Sequence, residues 1–427
     1  MDALLAGLVF LVTLGLMLTR LFGVNEAWWA AAGGVLALAL GLVPLSQAWG
    51  IVLETREVLI FLVGTMALSA VAERAGIFGW AAGLAARVGG GSVLRLYAMV
   101  FAVGTVVTAT LSLDATAIML TPLVYGVVVR LRLSPLPFMF ACTYTANTAS
   151  LFLPISNLTN LLMYDALELG FFDFFKIMLL PGALAVATNL LVFAALFGRE
   201  LRGRYDPGDT GFRPESRGFF RLAAVGLAVV IGALFAAPVF GISIGIVALA
   251  GGAVLAAVAI LGGYVGAREV ANSISWGLIV LVVGLFLVVQ GVENAGLAGL
   301  VRGALSLAGP SDGLLQIFGV AFGAAAGSNL INNVPMTVVA LNALEPLVSG
   351  GTLNPAAAYA TLLGTNIGPN LAIMGSLATL IWLSILRGRG MEVTAVDYLK
   401  VGVVAMPAIL AAAAFGLWVS LRLFGAG

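Results

Sequence analysis

The chain has no histidine and one cysteine, Cys142, in 427 residues. Without imidazole, any proton relay must run on carboxylates. One thiol excludes internal disulfides and any multi-thiolate metal site, so none is expected. Charge is scarce as well. Charged residues make up 9% of the chain, against roughly 25% in a soluble domain. The net charge of +1 leaves no electrostatic footprint for nucleic acid. No cleavage site follows the first apolar run, so residues 3–19 read as a retained helix. A nucleophile–base constellation is also lacking, and an enzyme is not expected.

What fills the chain is apolar side chain and glycine. Apolar residues are 62% of the sequence, glycines number 54, and the mean hydropathy is +1.13. That composition belongs to a polytopic membrane protein whose helices pack closely and break locally. Apolar runs at 3–19, 27–46, 57–73, 136–164 and 176–198 give five crossings. Five more follow at 221–238, 242–263, 275–292, 355–386 and 401–424. Residues 93–131 and 315–349 are each two apolar arms joined at a polar tip, Ser112-Leu113-Asp114 and Asn332-Asn333-Val334-Pro335. Both read as re-entrant hairpins, since non-helical backbone at membrane depth is tolerated only where it lines a cavity.

The second half repeats the first. Gly64 answers Gly284, and Glu73-Arg74-Ala75-Gly76 answers Glu293-Asn294-Ala295-Gly296, both 220 positions on. One register slip later, Asp114 falls on Asn333, Asn147 on Asn366, and Ser156-Asn157-Leu158-Thr159-Asn160 on Gly375-Ser376-Leu377-Ala378-Thr379. Paired halves with interruptions at matching positions mark a secondary transporter. The expected fold is an all-α polytopic membrane protein of two inverted-topology repeats. Each repeat has five transmembrane helices, one of them discontinuous, and one re-entrant hairpin. The first repeat spans 1–198, an Arg-rich linker 199–220, and the second repeat 221–427. Arg199, Arg202, Arg204, Arg213, Arg217 and Arg221 mark the linker region as cytoplasmic. Counting spans outward puts Arg20, Arg74, Arg87, Arg95, Arg130, Arg132, Arg268, Arg387, Arg389 and Lys400 on the same side. Only Arg56, Lys176, Arg302 and Arg422 of the 20 basic residues fall opposite. An odd number of crossings per half inverts the halves and places both termini outside.

Asp114 is the principal candidate. A carboxylate at membrane depth costs several kcal/mol unless it meets water, a partner or a proton. Shielding from water also makes a carboxyl hold its proton more firmly, which suits proton exchange. The competing role is an Asp tied down by the hydroxyls of Ser112 and Thr116 as a cap on the second arm. Ser156, Asn157, Thr159 and Asn160 follow Pro154, and their counterparts Gly375, Ser376 and Thr379 follow Pro369. A broken helix ringed by small hydroxyls and amides frees backbone groups to hold a small solute. The same residues could instead form interhelical hydrogen bonds. Asn147 and Asn366, which precede the breaks, read as ties between helix arms; Asn329 and Ser328, before the second tip, support the site or the packing. Glu73 and Glu293 read as interfacial, and Cys142 as a packing residue.

The segments LDATAIMLTPL (113–123), ISNLTN (155–160), NLINNVPMTVV (329–339) and GPNLAIMGSLATLIW (368–382) resemble the signature segments of the ArsB-type arsenite efflux permeases. The similarity runs from about residue 5 to 420. That family belongs to the ion transporter superfamily, with the divalent anion:sodium symporters and the NhaD-type sodium/proton antiporters. The resemblance implies export of arsenite and antimonite from a bacterial cell across the inner (plasma) membrane, driven by the proton gradient and without a cofactor. It also implies a homodimer with elevator-like motion and a soluble arsenite-stimulated ATPase as partner. Arsenous acid is neutral near pH 7 and carries three hydroxyls, which Ser, Thr, Asn and backbone groups can hold without a thiol. Dicarboxylate carriers present a Ser-Asn-Thr tip where this chain has Ser112-Leu113-Asp114, and a fixed negative charge there would repel a dicarboxylate. Asp114 with nearby carbonyls could still ligate a cation, so a sodium/proton antiporter is the alternative. In the arsenite reading Asp114 exchanges the proton. Ser112, Thr116, Ser156, Asn157, Thr159, Asn160, Asn332, Asn333, Gly375, Ser376 and Thr379 join it around the solute, and Asn147, Asn366 and Asn329 support them.

Overall fold

A computed structural model describes residues 2–19, 24, 26–207, 214–296, 303, 313–350 and 354–424. Arg20, Arg213 and Arg302 of the charge count lie outside the described residues. The first half runs α1 (Asp2–Thr19), α2 (Glu26–Ala39), α3 (Leu45–Glu54), α4 (Arg56–Arg74), α5 (Ile77–Val88), α6 (Val93–Thr110), α7 (Leu113–Arg130), α8 (Pro135–Ala149), α9 (Leu158–Ala166) and α10 (Phe171–Leu196). The second runs α11 (Arg217–Ala236), α12 (Ile244–Leu261), α13 (Ala267–Ser273), α14 (Trp276–Asn294), α15 (Leu314–Ile331), α16 (Asn333–Ser349), α17 (Ala356–Ile367), α18 (Leu377–Gly388) and α19 (Ala395–Phe424). Among the described residues the secondary structure is helical, apart from one isolated bridge, Ser92 to Arg204.

The order of elements recurs between the halves, down to backbone angles. Gly76 and Gly296 both take left-handed φ, 82° and 81°, where a side chain would be strained. At the breaks, Leu153 (φ −134°, ψ 150°) answers Ala372 (−135°, 145°), and Asn157 (−150°, 143°) answers Ser376 (−144°, 139°).

Eight described helices are long and apolar enough to cross a membrane, and the bent pair α4 and α5 adds one more. Of the ten expected crossings, 176–198, 221–238, 242–263, 275–292 and 401–424 coincide with these helices and 57–73 with the bent pair, while the remaining runs form shorter or broken helices. The run at 27–46 ends as α2 at Ala39, because Gly41 takes φ 72° and Pro44 opens a separate helix, α3. Residues 77–88 form a helix of their own that meets α4 at 59°. The arms α6, α7 and α15 are each 18 residues long, as long as a short crossing.

The halves interleave. Helix α4 packs along α12, and α14 packs along α2 in the matching way; α10 lies against α19. Both cross-half seams are built on glycine. A Cβ on Gly252 would lie 2.5 Å from the Gly64 oxygen, and a Cβ on Gly34 would lie 3.0 Å from the Gly284 oxygen. On Gly284 it would lie 2.6 Å from the Ala30 carbonyl carbon, and Gly64 meets the backbone of Ala248 in the same fashion. Lipid tails offer no hydrophobic drive between helices, so close backbone approach through small residues supplies the packing.

One end of the molecule gathers the basic residues near the linker. Arg74 pairs with Glu215 and Glu269, and the Val93 amide donates to Gly203 O at 3.3 Å. Burial pushes the Tyr205 phenol above its usual range, and its hydroxyl donates to Ala86 O. Tyr125 donates to the Arg389 carbonyl at 3.4 Å. At the other end Ser420 donates to the Lys176 carbonyl at 3.3 Å.

Because the two seams are matched, Gly64→Val and Gly284→Val should each destabilise the protein by roughly 1–3 kcal/mol through overpacking. Gly50 on α3 has open space where a methyl group would sit and should accept alanine with a small gain. Thermal unfolding in detergent, followed by tryptophan fluorescence, distinguishes the two outcomes.

Candidate functional site

The first hairpin turns at Leu111–Ser112. Ser112 is extended and its Oγ accepts from the Ala115 amide at 3.1 Å, capping α7. Thr116 is spent elsewhere: its hydroxyl lies 2.7 Å from that of Thr108 across the hairpin. Asp114 is therefore not the cap. Its carboxylate sits in the first turn of α7, where the helix dipole favours an anion, and it has no hydrogen bond or ion pair among the described residues.

Asp114 and Ser112 instead line a cavity of about 280 Å³. Its other walls are Leu62, Thr65, Met66 and Ser69 of α4, the start of α14 with Ser275, and Glu26 at the head of α2. Thr65, Ser69, Ser273, Ser275 and Glu26 were not among the candidates read from sequence. Thr65 and Ser69, four apart within an apolar helix, share a face, which was the available signal; Ser273 and Ser275 carried none.

The second hairpin turns at Asn332, with φ 73° and ψ 156°, a conformation that costs a non-glycine residue on the order of 1–3 kcal/mol. The Asn332 side chain accepts from the Val334 amide at 3.4 Å. Asn333, the counterpart of Asp114, is buried and makes no side-chain hydrogen bond among the described residues.

The broken helices meet through amides. From Ala149 to Leu158 the chain passes through two 3₁₀ turns separated by extended Leu153, and residues 367–377 do the same around Ala372. Asn366 Oδ1 accepts from Ser150 Oγ at 2.8 Å and from Asn157 Nδ2, with Thr159 Oγ1 more distant at 3.3 Å. Asn366 Nδ2 donates to Asn160 Oδ1 at 2.8 Å. Asn160 in turn donates to the Ser150 and Leu153 carbonyls at 2.6 and 3.1 Å. Asn147 donates to Asn370 Oδ1 at 2.8 Å, and Tyr144 to Asn370 O at 2.6 Å. Ser156 ties the break to the hairpin, donating to Ala109 O at 2.9 Å. Asn329 bridges the second pair, donating to Gly368 O at 2.8 Å and accepting from the Ala372 amide at 3.1 Å. Its neighbour Ser328 donates to Ala324 O at 2.9 Å. Gly375 lies against Pro369 and Asn329, while Ser376 and Thr379 are buried at the head of α18.

Ser112 and Asp114 thus share a cavity, whereas the 156–160 cluster is knitted to Asn366. Ser150 and Asn370 complete this network and were not anticipated, since neither has a polar counterpart in the other half at the 219-residue offset. Helix α9 packs against α16, and α18 against the π turn of α7, so each half-helix contacts the hairpin of the other half.

A second cavity, of about 650 Å³, lies at the opposite ends of α4 and α14. Thr55, Asp165, Glu293, Asn342 and Glu345 line it, and Asn342 donates to Glu293 at 3.1 Å. Between the cavities lie Phe61, Val282 and Leu285, packed with Val334 and Val338 of α16. Glu73 stays at the other end of α4, and Cys142 is buried in the core.

Paired hairpins, paired broken helices and opposed cavities divided by an apolar layer define the architecture of a multi-pass membrane transporter. A solved structure of the same fold is the YdaH transporter of Alcanivorax borkumensis, with TM-score 0.61 at 15% identity, covering 99% of this chain and 98% of that one. The chain belongs to the ArsB family: the family model for "Arsenical pump membrane protein" matches residues 5–421. Relatives so named come from Yersinia enterocolitica, 31% identical over 98% of this chain and 100% of the relative, and from Escherichia coli, 30% identical with the same coverage.

Asn366→Leu strands the Asn157 amide donor and the Asn160 Oδ1 acceptor and should cost about 1–3 kcal/mol per stranded group, seen as loss of monodisperse protein in size-exclusion chromatography. Asn333→Ala breaks no hydrogen bond and should leave the elution profile intact.

Proposed function

We propose that this protein exports trivalent arsenite, and antimonite, across the plasma membrane in exchange for protons, with Asp114 as the proton-carrying group. The observation that carries the reading is a carboxylate with no hydrogen bond or ion pair among the described residues, in a helix's first turn, facing a cavity with hydroxyl-bearing walls. A neutral trihydroxy solute can hydrogen-bond with Ser112, Thr65 and Ser69 whether or not Asp114 holds a proton. Proton uptake then changes the charge of the site without forcing the solute out by repulsion.

Sidedness follows from the charges. The Asp114 cavity opens toward the end of α4 that holds Arg74 and the linker, which the positive-inside rule makes cytoplasmic. The acidic second cavity would face outward, where emerging solute meets Asp165, Glu293 and Glu345. In this reading the halves are inverted repeats, both hairpins return to their side of entry, and both termini lie outside. The apolar layer around Phe61 and Val282 closes the outer path, and movement of the hairpins with the broken helices past α4 and α14 opens it. A homodimer and a soluble ATPase partner are consistent with the family and belong to the proposal.

Everted membrane vesicles test it. Wild-type vesicles should accumulate arsenite when their interior is acid, and a protonophore should abolish this. Asp114→Asn should lower gradient-driven accumulation to the level of empty vesicles while arsenite–arsenite exchange persists. Coupled accumulation by the variant would overturn the role of Asp114. Sodium-driven, arsenite-independent proton movement would instead favour a sodium/proton antiporter.

A further inference from the structure

Hydrogen bonds alone do not explain how such a cavity would prefer a metalloid. Glycerol or boric acid offers the same hydroxyls, and the only cysteine lies in the core away from this cavity. We propose that the thioethers of Met66 and Met119, which line the cavity with Asp114, form a soft contact that selects trivalent arsenic and antimony over other neutral polyols. This inference rests on the arsenite reading and supplies its specificity.

Two observations support it. Met119 lies five residues after Asp114, and on a straight α-helix of 3.6 residues per turn the two would point about 140° apart. Residues 116–120 form a π turn, in which the Thr121 amide donates to Thr116 O, five residues back. That wider turn rotates Met119 toward the face of Asp114, and both residues line the cavity. Met66 comes from a different wall, on α4 beside Thr65. Its sulfur accepts a hydrogen bond from the Ser275 amide at 3.3 Å, which restrains an otherwise flexible side chain and leaves its second lone pair free.

The chemistry fits a carrier. A thioether is a soft, neutral, polarizable donor. It has no proton to lose and gives a weaker contact than a thiolate, so solute is recognised yet released. Hydroxyls and Asp114 hold the oxygens while sulfur meets the metalloid, and no covalent bond forms or breaks. The heavier, softer antimony should benefit more than arsenic.

X-ray absorption at the antimony edge, on purified protein titrated with antimonite, provides the test. Wild-type protein should show sulfur beside oxygen around antimony. Met66→Leu and Met119→Leu should each reduce the sulfur signal, and the double variant should remove it and weaken antimonite binding roughly tenfold. The affinity for arsenite should fall less. An oxygen-only shell in wild-type protein overturns the proposal without recourse to any variant, as does a sulfur signal unchanged in both single variants. If wild-type vesicles transport arsenite but the shell is oxygen only, the thioether role alone fails. If they transport neither metalloid, the arsenite reading itself falls.

Discussion

A helix that breaks inside a membrane strands backbone groups where no water can reach them, and everything distinctive here follows from satisfying those groups. The solution is a knot of amides shared between the two breaks. Asn366 receives Ser150 and Asn157 from the other half and donates from its own amide to Asn160 and to the Leu362 carbonyl. Asn160 then covers the Ser150 and Leu153 carbonyls that the first break leaves open. Each bond spans a dry interior, so loss of one partner is costly while the net gain per pair is modest. The knot joins the two breaks, although Asn147 Oδ1 and Asn370 Nδ2 within it make no hydrogen bond among the described residues.

Duplication organises the rest. Gly64 against Ala248 and Gly252, and Gly284 against Ala30 and Gly34, are the same joint made twice. These seams hold α4 and α14 as a pair of rails, with one cavity at each end and an apolar plug between them. Cross-half contacts of α9 with α16 and of α18 with α7 then link each break to the opposite hairpin. Each hairpin therefore rests against the broken helix of the other half.

Much of this was legible from residue order. The repeat offset located the tips at Asp114 and Asn333 and the breaks near Pro154 and Pro369, because polar residues within apolar stretches are expensive and so stand out. Asn147 and Asn366, expected to tie the arms of their own broken helices, bond instead to the break in the other half. Partners that depend on three-dimensional convergence were not legible. Ser150 and Asn370 have no polar counterpart at the repeat offset, and Ser273 and Ser275 sit at the end of α13 and in the short link to α14. The helix at 77–88 escaped notice because a left-handed Gly76 and a bend separate it from α4. The π turn at 116–120 has no compositional signature, yet it decides which side chains share a wall with Asp114.

The matched tips carry a further consequence. Asp114 and Asn333 are nearly the same size and shape and differ by an oxygen in place of an amino group, so the two hairpins present one acid and one amide at matching places. The recurrence between the halves is thereby broken at the tips, in this functional group as well as in the backbone, which is extended at Ser112 and at positive φ at Asn332. In the proposed cycle only one of the two loops could take up and release a proton, and that difference would give the carrier its polarity.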